Sequence, residues 1–314
     1  MLTRRHIRAK VMQAVYAYRQ GGTQDMVTCR KNLIHGLEKI EELYSYQMSL
    51  LLSVKDMAAA RIEARRAKRL ATPEDLNPNM RFVENPVFAM IEENTALKKL
   101  MERYGSPWAD RSEYVELCYN ALLSSSEYEE YMNGETATYA MHKKMVVFLF
   151  KKVIAPMEEL AEYYEDCQMD WVGDLQVANS MALKTITDLY EDCNASEMEI
   201  PTLFKDILDR DFAMKLMDKT IEYGEGFHGV IEEKLKNWDS ERVAMVDFIL
   251  MEMAVVEFVH FPSIPTKVTL NEYIEISKEY STVKSNTFVN GVLDRVLVEL
   301  TAEGKIVKTG RGLM

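Results

Sequence analysis

The scarcity of chain-breaking residues is the strongest constraint on this sequence. Its 314 residues include only 13 glycines and 8 prolines, and residue pairs that favour β-hairpin turns are nearly absent. Most apolar residues recur at steps of three and four, the spacing that lines one face of a helix. The chain therefore reads as all-α. Thr3 can cap a first helix whose core face is Ile7, Val11, Ala14 and Tyr18, with Arg5, Arg8 and Arg19 on one flank and Gly21-Gly22 at its end. A long second helix is expected from about Val27 to Arg66, and the prolines at 73, 78 and 86 mark the clearest break. Further helices are expected over roughly 88–104, 112–132, 140–165, 172–192, 202–223 and 240–259. Thr269 with Glu272 fits a capping box for one more.

Net charge is −12, which argues against a protein that coats nucleic acid indiscriminately. Any nucleic-acid site must then be a local basic patch. Residues 1–20 supply one, with Arg4, Arg5, Arg8, Lys10 and Arg19 and no acidic side chain, and Arg61, Arg65, Arg66, Lys68 and Arg69 form a second. With 47% hydrophobic residues the chain can bury a sizeable core. No run is apolar and long enough to span a bilayer and no signal peptide is evident, so the expectation is a soluble, cytoplasmic protein without membrane contact. Cys29, Cys118, Cys167 and Cys193 are widely spaced and form no C-x-x-C pair, which disfavours structural zinc and disulfides.

Near the C-terminus, Phe288-Val-Asn-Gly-Val-Leu-Asp294 opens an amphipathic helix with Val289, Val292, Leu293, Val296, Leu297 and Leu300 as its buried stripe. Phe288 falls at the stripe's edge, and Lys284-Ser285-Asn286-Thr287 precedes it. A capped helix N-terminus beside a lysine and an aromatic ring suits phosphate and base contacts. Upstream, Arg242-Val-Ala-Met-Val-Asp247 leads into the apolar run from Phe248 to Phe258, followed by Pro265 to Val268 and by Leu270-Asn-Glu-Tyr-Ile-Glu-Ile-Ser-Lys278. In that order and spacing, these motifs resemble the NusB family of bacterial transcription antitermination factors. Arg4-Arg5-His6-Ile7-Arg8-Ala9-Lys10, with Gln13-Ala14-Val15-Tyr16 after it, is similar to that family's arginine-rich first helix.

The resemblance covers about 1–50 and 205–300 and implies a NusB-like helical bundle carrying an additional inserted helical region. The expected parts are N-terminal helices over 1–55, an insertion over 56–200 and a C-terminal RNA-binding domain over 201–314. It implies a factor that binds boxA, a single-stranded element of ribosomal RNA leaders, together with NusE, a small-subunit ribosomal protein, within the RNA polymerase antitermination complex. Arg4, Arg5, Arg8 and Lys10 would hold phosphates, with Lys284 beside the strand. Phe288 would stack on a base and Asn290 could offer an amide. Tyr16 and Asp247 match the NusE contact surface, where a carboxylate on an exposed flank suits a basic ribosomal protein. Two departures stand out: Glu252 occupies a position usually held by arginine, and His6 interrupts the basic run.

No catalytic residue, cofactor or metal is expected. Gly224-x-Gly226-x-x-Gly229 fits a dinucleotide fingerprint but follows a helix where that site needs a strand. Glu225-x-x-His228 and Glu257-x-x-His260 make half of a di-iron carboxylate site, the best enzymatic alternative. A protein-only helical scaffold is another. The stretches beginning at Asp110 and Asp209 align without gaps, pairing Leu117 with Leu216, as a partial duplication would.

Overall fold

The computed structural model describes residues 2–21, 25–168, 171, 173–235, 244–282 and 285–313, and among these it contains helices and no strand. Thr3 caps α1 (Arg4–Gln20) by accepting a hydrogen bond from the His6 amide, and Gly21 closes it. The long helix α2 (Met26–Arg66) buries Cys29, Leu33, Leu37, Ile40, Leu43, Tyr44 and Met48, a three- and four-residue spacing maintained over five turns.

Two compact units divide the chain, one of residues 38–203 and one of residues 2–37 with 204–314. The expected boundaries at 55 and 200 differ from these because α2 continues through residue 37 without a break and contributes to both units.

In the 38–203 unit, α2 is followed by α3 (Pro73–Leu76), α4 (Pro86–Glu93), α5 (Thr95–Tyr104), α6 (Ser112–Leu123), α7 (Ser126–Asn133), α8 (Tyr139–Phe148), α9 (Glu158–Cys167) and α10 (Leu175–Asp188). Three expected helices are each split in two. Asn94 ends α4 and caps α5 through the Leu97 amide, while its Nδ2 donates to the carbonyls of Ala195 and Met198. Ser125 caps α7. Between α8 and α9 lies a π-helical turn, Leu149–Ile154, which ends before Pro156. The indoles of Trp108 and Trp171 donate to the α2 carbonyls of Tyr46 and Lys39 and so tie distant segments of this unit to one helix. The duplication reading gains no support, since Leu117 is exposed where Leu216 is fully buried.

The other unit holds α1, the start of α2, α11 (Ile207–Tyr223), α12 (His228–Lys234), α13 (Met245–His260), α14 (Thr266–Tyr280) and α15 (Ser285–Ala302). Helix α13 is buried on nearly every side, from Ile249 through Phe258, and forms the unit's centre as its uniform apolarity predicts. The expected capping box at Thr269 is corrected. Helix α14 begins at Thr266 after Pro265, so Thr269 lies one turn inside, where its hydroxyl donates to Glu257 at 2.7 Å. The expected start of α13 near Ser240 falls outside the described residues.

Candidate nucleic-acid interface

Helix α1 carries its arginines in two very different settings. Arg8 is only 2% exposed and makes a two-pronged contact with Glu257 of α13, at 2.8 and 2.7 Å. Its guanidinium lies between the rings of Phe212 (5.1 Å) and Tyr273 (5.8 Å). Burial alone would lower its pKa, but the facing Glu257 carboxylate outweighs burial and raises it. The Glu257 carboxylate also accepts from Thr269 and from the Tyr273 hydroxyl, so a fully buried ion pair has its hydrogen bonds met from two helices, α1 and α14. Arg8 as a phosphate ligand is therefore corrected: it is a core residue that locks α1 onto α13 and α14. Lys10 is likewise buried.

Arg4 and Arg5 differ. Their side chains keep 45% and 42% of their exposure. Arg4 donates to Asp209 of α11 at 3.0 Å and lies 4.9 Å above the Phe212 ring, and Arg5 forks onto Glu272 of α14 at 3.1 and 3.0 Å. Both cations reach solvent at the first turn of α1, each steadied by a partly exposed carboxylate. Next to them His6 is half-buried, and burial followed by the Arg5 charge holds its pKa below the ordinary histidine value.

Phe288 is only 7% exposed, buried like Val289 and Val292 on the same helix, so its ring presents no open face for a base, and the stacking role is corrected. Its position at the edge of the apolar stripe fell to the core side. Asn290 is half-exposed on the same helix, and Lys284 lies outside the described residues. Asp247 is also corrected, because it is buried rather than on an exposed flank. It accepts a 2.7 Å hydrogen bond from Ser285, whose hydroxyl contacts those of Ser281 and Thr282. That carboxylate fixes the turn entering α15, near its positive N-terminal end. Tyr16 is exposed on α1.

A third buried carboxylate on α13, after Glu257 and Asp247, stands out in the sequence only as a departure from the resembled family. Glu252 is fully buried and pairs with Arg19 of α1 at 2.5 Å and with His228 at the start of α12. Burial pushes its pKa up, opposed by Arg19 and then His228. A cavity of about 380 Å³ opens beside the cluster, lined in part by Arg19, His228, Met245 and Phe248, with Glu225 and Glu232 also at its wall. Gly224 sits with its Cα hydrogen facing the Arg19 and Glu252 side chains.

The chemical look-alikes do not assemble. The glycines at 224 and 226 follow α11 in a 3-10 turn, Gly224–Phe227, rather than a strand. Glu257 is committed to Arg8, His228 to Glu252, and His260 stacks on Tyr223 at 4.4 Å. Among the described residues no three potential ligand side chains converge as a metal site would require.

Comparison with known proteins decides the lineage of this arrangement. The NusB family model matches residues 175–298. "Transcription antitermination protein NusB" of Salinibacter ruber is 38% identical over 142 residues, which cover 44% of this chain and 89% of the relative. This chain belongs to the NusB family. The protein of the same name from Chloroherpeton thalassium is 39% identical over 109 residues, covering 35% of this chain and 52% of the relative. That of Geobacter sp. (strain M21) is 38% identical over 127 residues, covering 40% of this chain and 83% of the relative. No solved structure matches the chain.

Proposed function

We propose that this protein is a transcription antitermination factor that binds boxA RNA together with NusE and joins the RNA polymerase antitermination complex. The observation that carries the reading is the match to the Salinibacter ruber protein across 89% of that relative's length. We assign this protein no reaction. Among the described residues no helix is long and apolar enough to cross a membrane.

Within this reading Arg4 and Arg5 take the phosphate contacts. Their present partners, Asp209 and Glu272, are partly exposed, and such surface pairs are worth at most about 1 kcal/mol. A phosphate can replace either carboxylate at little cost, and guanidinium is suited to phosphate because it donates in a planar fork. Asn290 and Lys284 remain candidate contacts, Tyr16 is the exposed candidate for the NusE surface, and Asp247 acts on that surface only by holding the turn before α15. We read the region expected at 56–200 as an insertion in the NusB chain. The unit it interrupts is closed by segments far apart in sequence, while the stretch between forms a compact unit of its own.

The test is binding of a boxA oligonucleotide, with and without NusE, over a salt series. Affinity that falls with rising salt and strengthens with NusE is expected. Equal affinity for boxA and for a scrambled oligonucleotide in the presence of NusE sinks the assignment.

A further inference from the structure

The arginines at the head of α1 are all committed to carboxylates, yet a different set of cations in the same unit is not. Lys215 of α11 is exposed and rests 5.3 Å above the ring of Phe261, with no carboxylate within ion-pair distance among the described residues. Lys267, in the first turn of α14, and Arg311, in the C-terminal tail, are exposed and equally unpaired among those residues. All three surround the short turn between α13 and α14. The tail is held there by Lys308, whose ammonium donates to the carbonyls of Glu257 (3.3 Å) and Phe261 (3.0 Å) at the end of α13. The Thr309 amide donates to the Pro262 carbonyl at 2.9 Å. Gly312 lies so close to that carbonyl that a Cβ would collide with it. Arg311 is thereby fixed on the turn rather than carried on a loose end.

This group is continuous with the proposed RNA face. Arg4 lies over the Phe212 ring, Phe212 meets Phe261 edge-on at 5.6 Å, and Phe261 carries Lys215. Two touching rings therefore carry one exposed cation each. The neighbouring acids are few: Asp209 is tied to Arg4, Glu222 to Lys219, Glu257 is buried, and Asp211 is exposed one turn before Lys215. On a chain of net charge −12, unpaired cations gathered at one turn form a local positive field that fits a polyanion.

We propose that the α13–α14 turn, with Lys215, Lys267 and Arg311 around it, is a second phosphate-contact face that carries the RNA strand onward from Arg4. This rests on the RNA-binding reading above. The strand leaves Arg4, crosses the edge of the Phe212 and Phe261 pair and is held beyond it by cations that give up no ion pair to bind. The face recognises the phosphodiester backbone and not the sequence, so it adds affinity for longer RNA without altering the preference for boxA.

The test compares a minimal boxA oligonucleotide with boxA oligonucleotides extended at the 5′ or the 3′ end, using the full chain with NusE. The variant is Lys215→Gln, Lys267→Gln, Arg311→Gln, whose side chains are all at the surface, and its thermal unfolding is checked against the parent protein. One extended RNA should bind the parent protein more tightly than the minimal one and lose that advantage in the variant, while minimal boxA binding is unchanged. Each lost contact should flatten the log–log salt slope by about 0.7, or roughly 2 for all three, and affinity for the extended RNA should fall about tenfold or more. The charge-keeping variant Lys215→Arg, Lys267→Arg, Arg311→Lys should retain it. If minimal and extended RNAs bind equally, or the glutamine variant keeps the extended-RNA advantage, the second face is overturned and the boxA reading stands. If the variant keeps all RNA binding but loses assembly with NusE, the face serves a protein and the proposal is overturned. Failure of the parent protein to bind minimal boxA overturns the underlying reading instead.

Discussion

Helix α13 buries two glutamates little more than a turn apart, and their surroundings are opposites. Glu257 faces a guanidinium in a forked contact and receives two further hydroxyl donors, so its charge is met from both α1 and α14. Glu252 faces Arg19 and a histidine beside a cavity of about 380 Å³, and burial keeps its pKa raised. A buried charge stabilises a fold only when its hydrogen bonds are complete, and otherwise the cost of leaving water dominates. The Glu257 end of α13 should behave as a lock and the Glu252 end as a tolerated weakness.

The sharpest way to break this contrast is Arg8→Ala, which strands Glu257 without its cation and should cost roughly 3–5 kcal/mol in urea unfolding. The paired replacement Arg8→Met with Glu257→Leu should cost much less than either single change, because no lone charge is left behind. A double variant as unstable as Arg8→Ala would mean that packing against Phe212 and Tyr273, not charge pairing, holds this end.

Next in size is Phe288→Leu. With its ring in the core it should lose roughly 1–2 kcal/mol of stability and leave RNA affinity and salt slope unchanged. Lost affinity at full stability would restore the ring to the RNA face.

Glu252→Gln should be smaller still and dependent on pH. A glutamate whose folded-state pKa stands above the ordinary value of 4.5 supports the fold below that value and weakens it as pH rises through the raised one. Relative to the glutamine variant, the parent protein should therefore lose melting temperature as pH climbs from 4.5 toward neutrality, and a gap independent of pH would refute the raised pKa. The least effect on stability is expected for Arg4→Ala with Arg5→Ala, at most about 1 kcal/mol for each exposed pair. The same double variant should flatten the RNA salt slope by about 1.4. Unchanged RNA binding there would remove the proposed face at α1.

The helices were legible because a three- and four-residue apolar spacing is local, as are the Thr3 cap and the Gly21 stop. The breaks at Asn94 and Ser125 were missed because a polar residue inside an amphipathic pattern looks like part of the wet face until its side chain turns back to cap the next helix. Arg8 and Asp247 were misplaced for a different reason. On a helical wheel Arg8 resembles Arg5, and only Glu257, 249 residues away, draws it inside. Asp247 likewise resembled a surface charge until Ser285 was seen to claim it. Family resemblance gave the lineage correctly but could not show which arginines face solvent.

The same long separation bears on how the chain is made. The carboxylate of Glu257 is made 249 residues after its mate in α1, which at bacterial or eukaryotic synthesis rates of about 5–20 residues per second is a wait of roughly 12–50 seconds. During that interval α11 can already pack against α1, with Phe212 beside Arg8, while the guanidinium still lacks its buried carboxylate. The ion pair that seats Arg8 thus waits for α13 to be made.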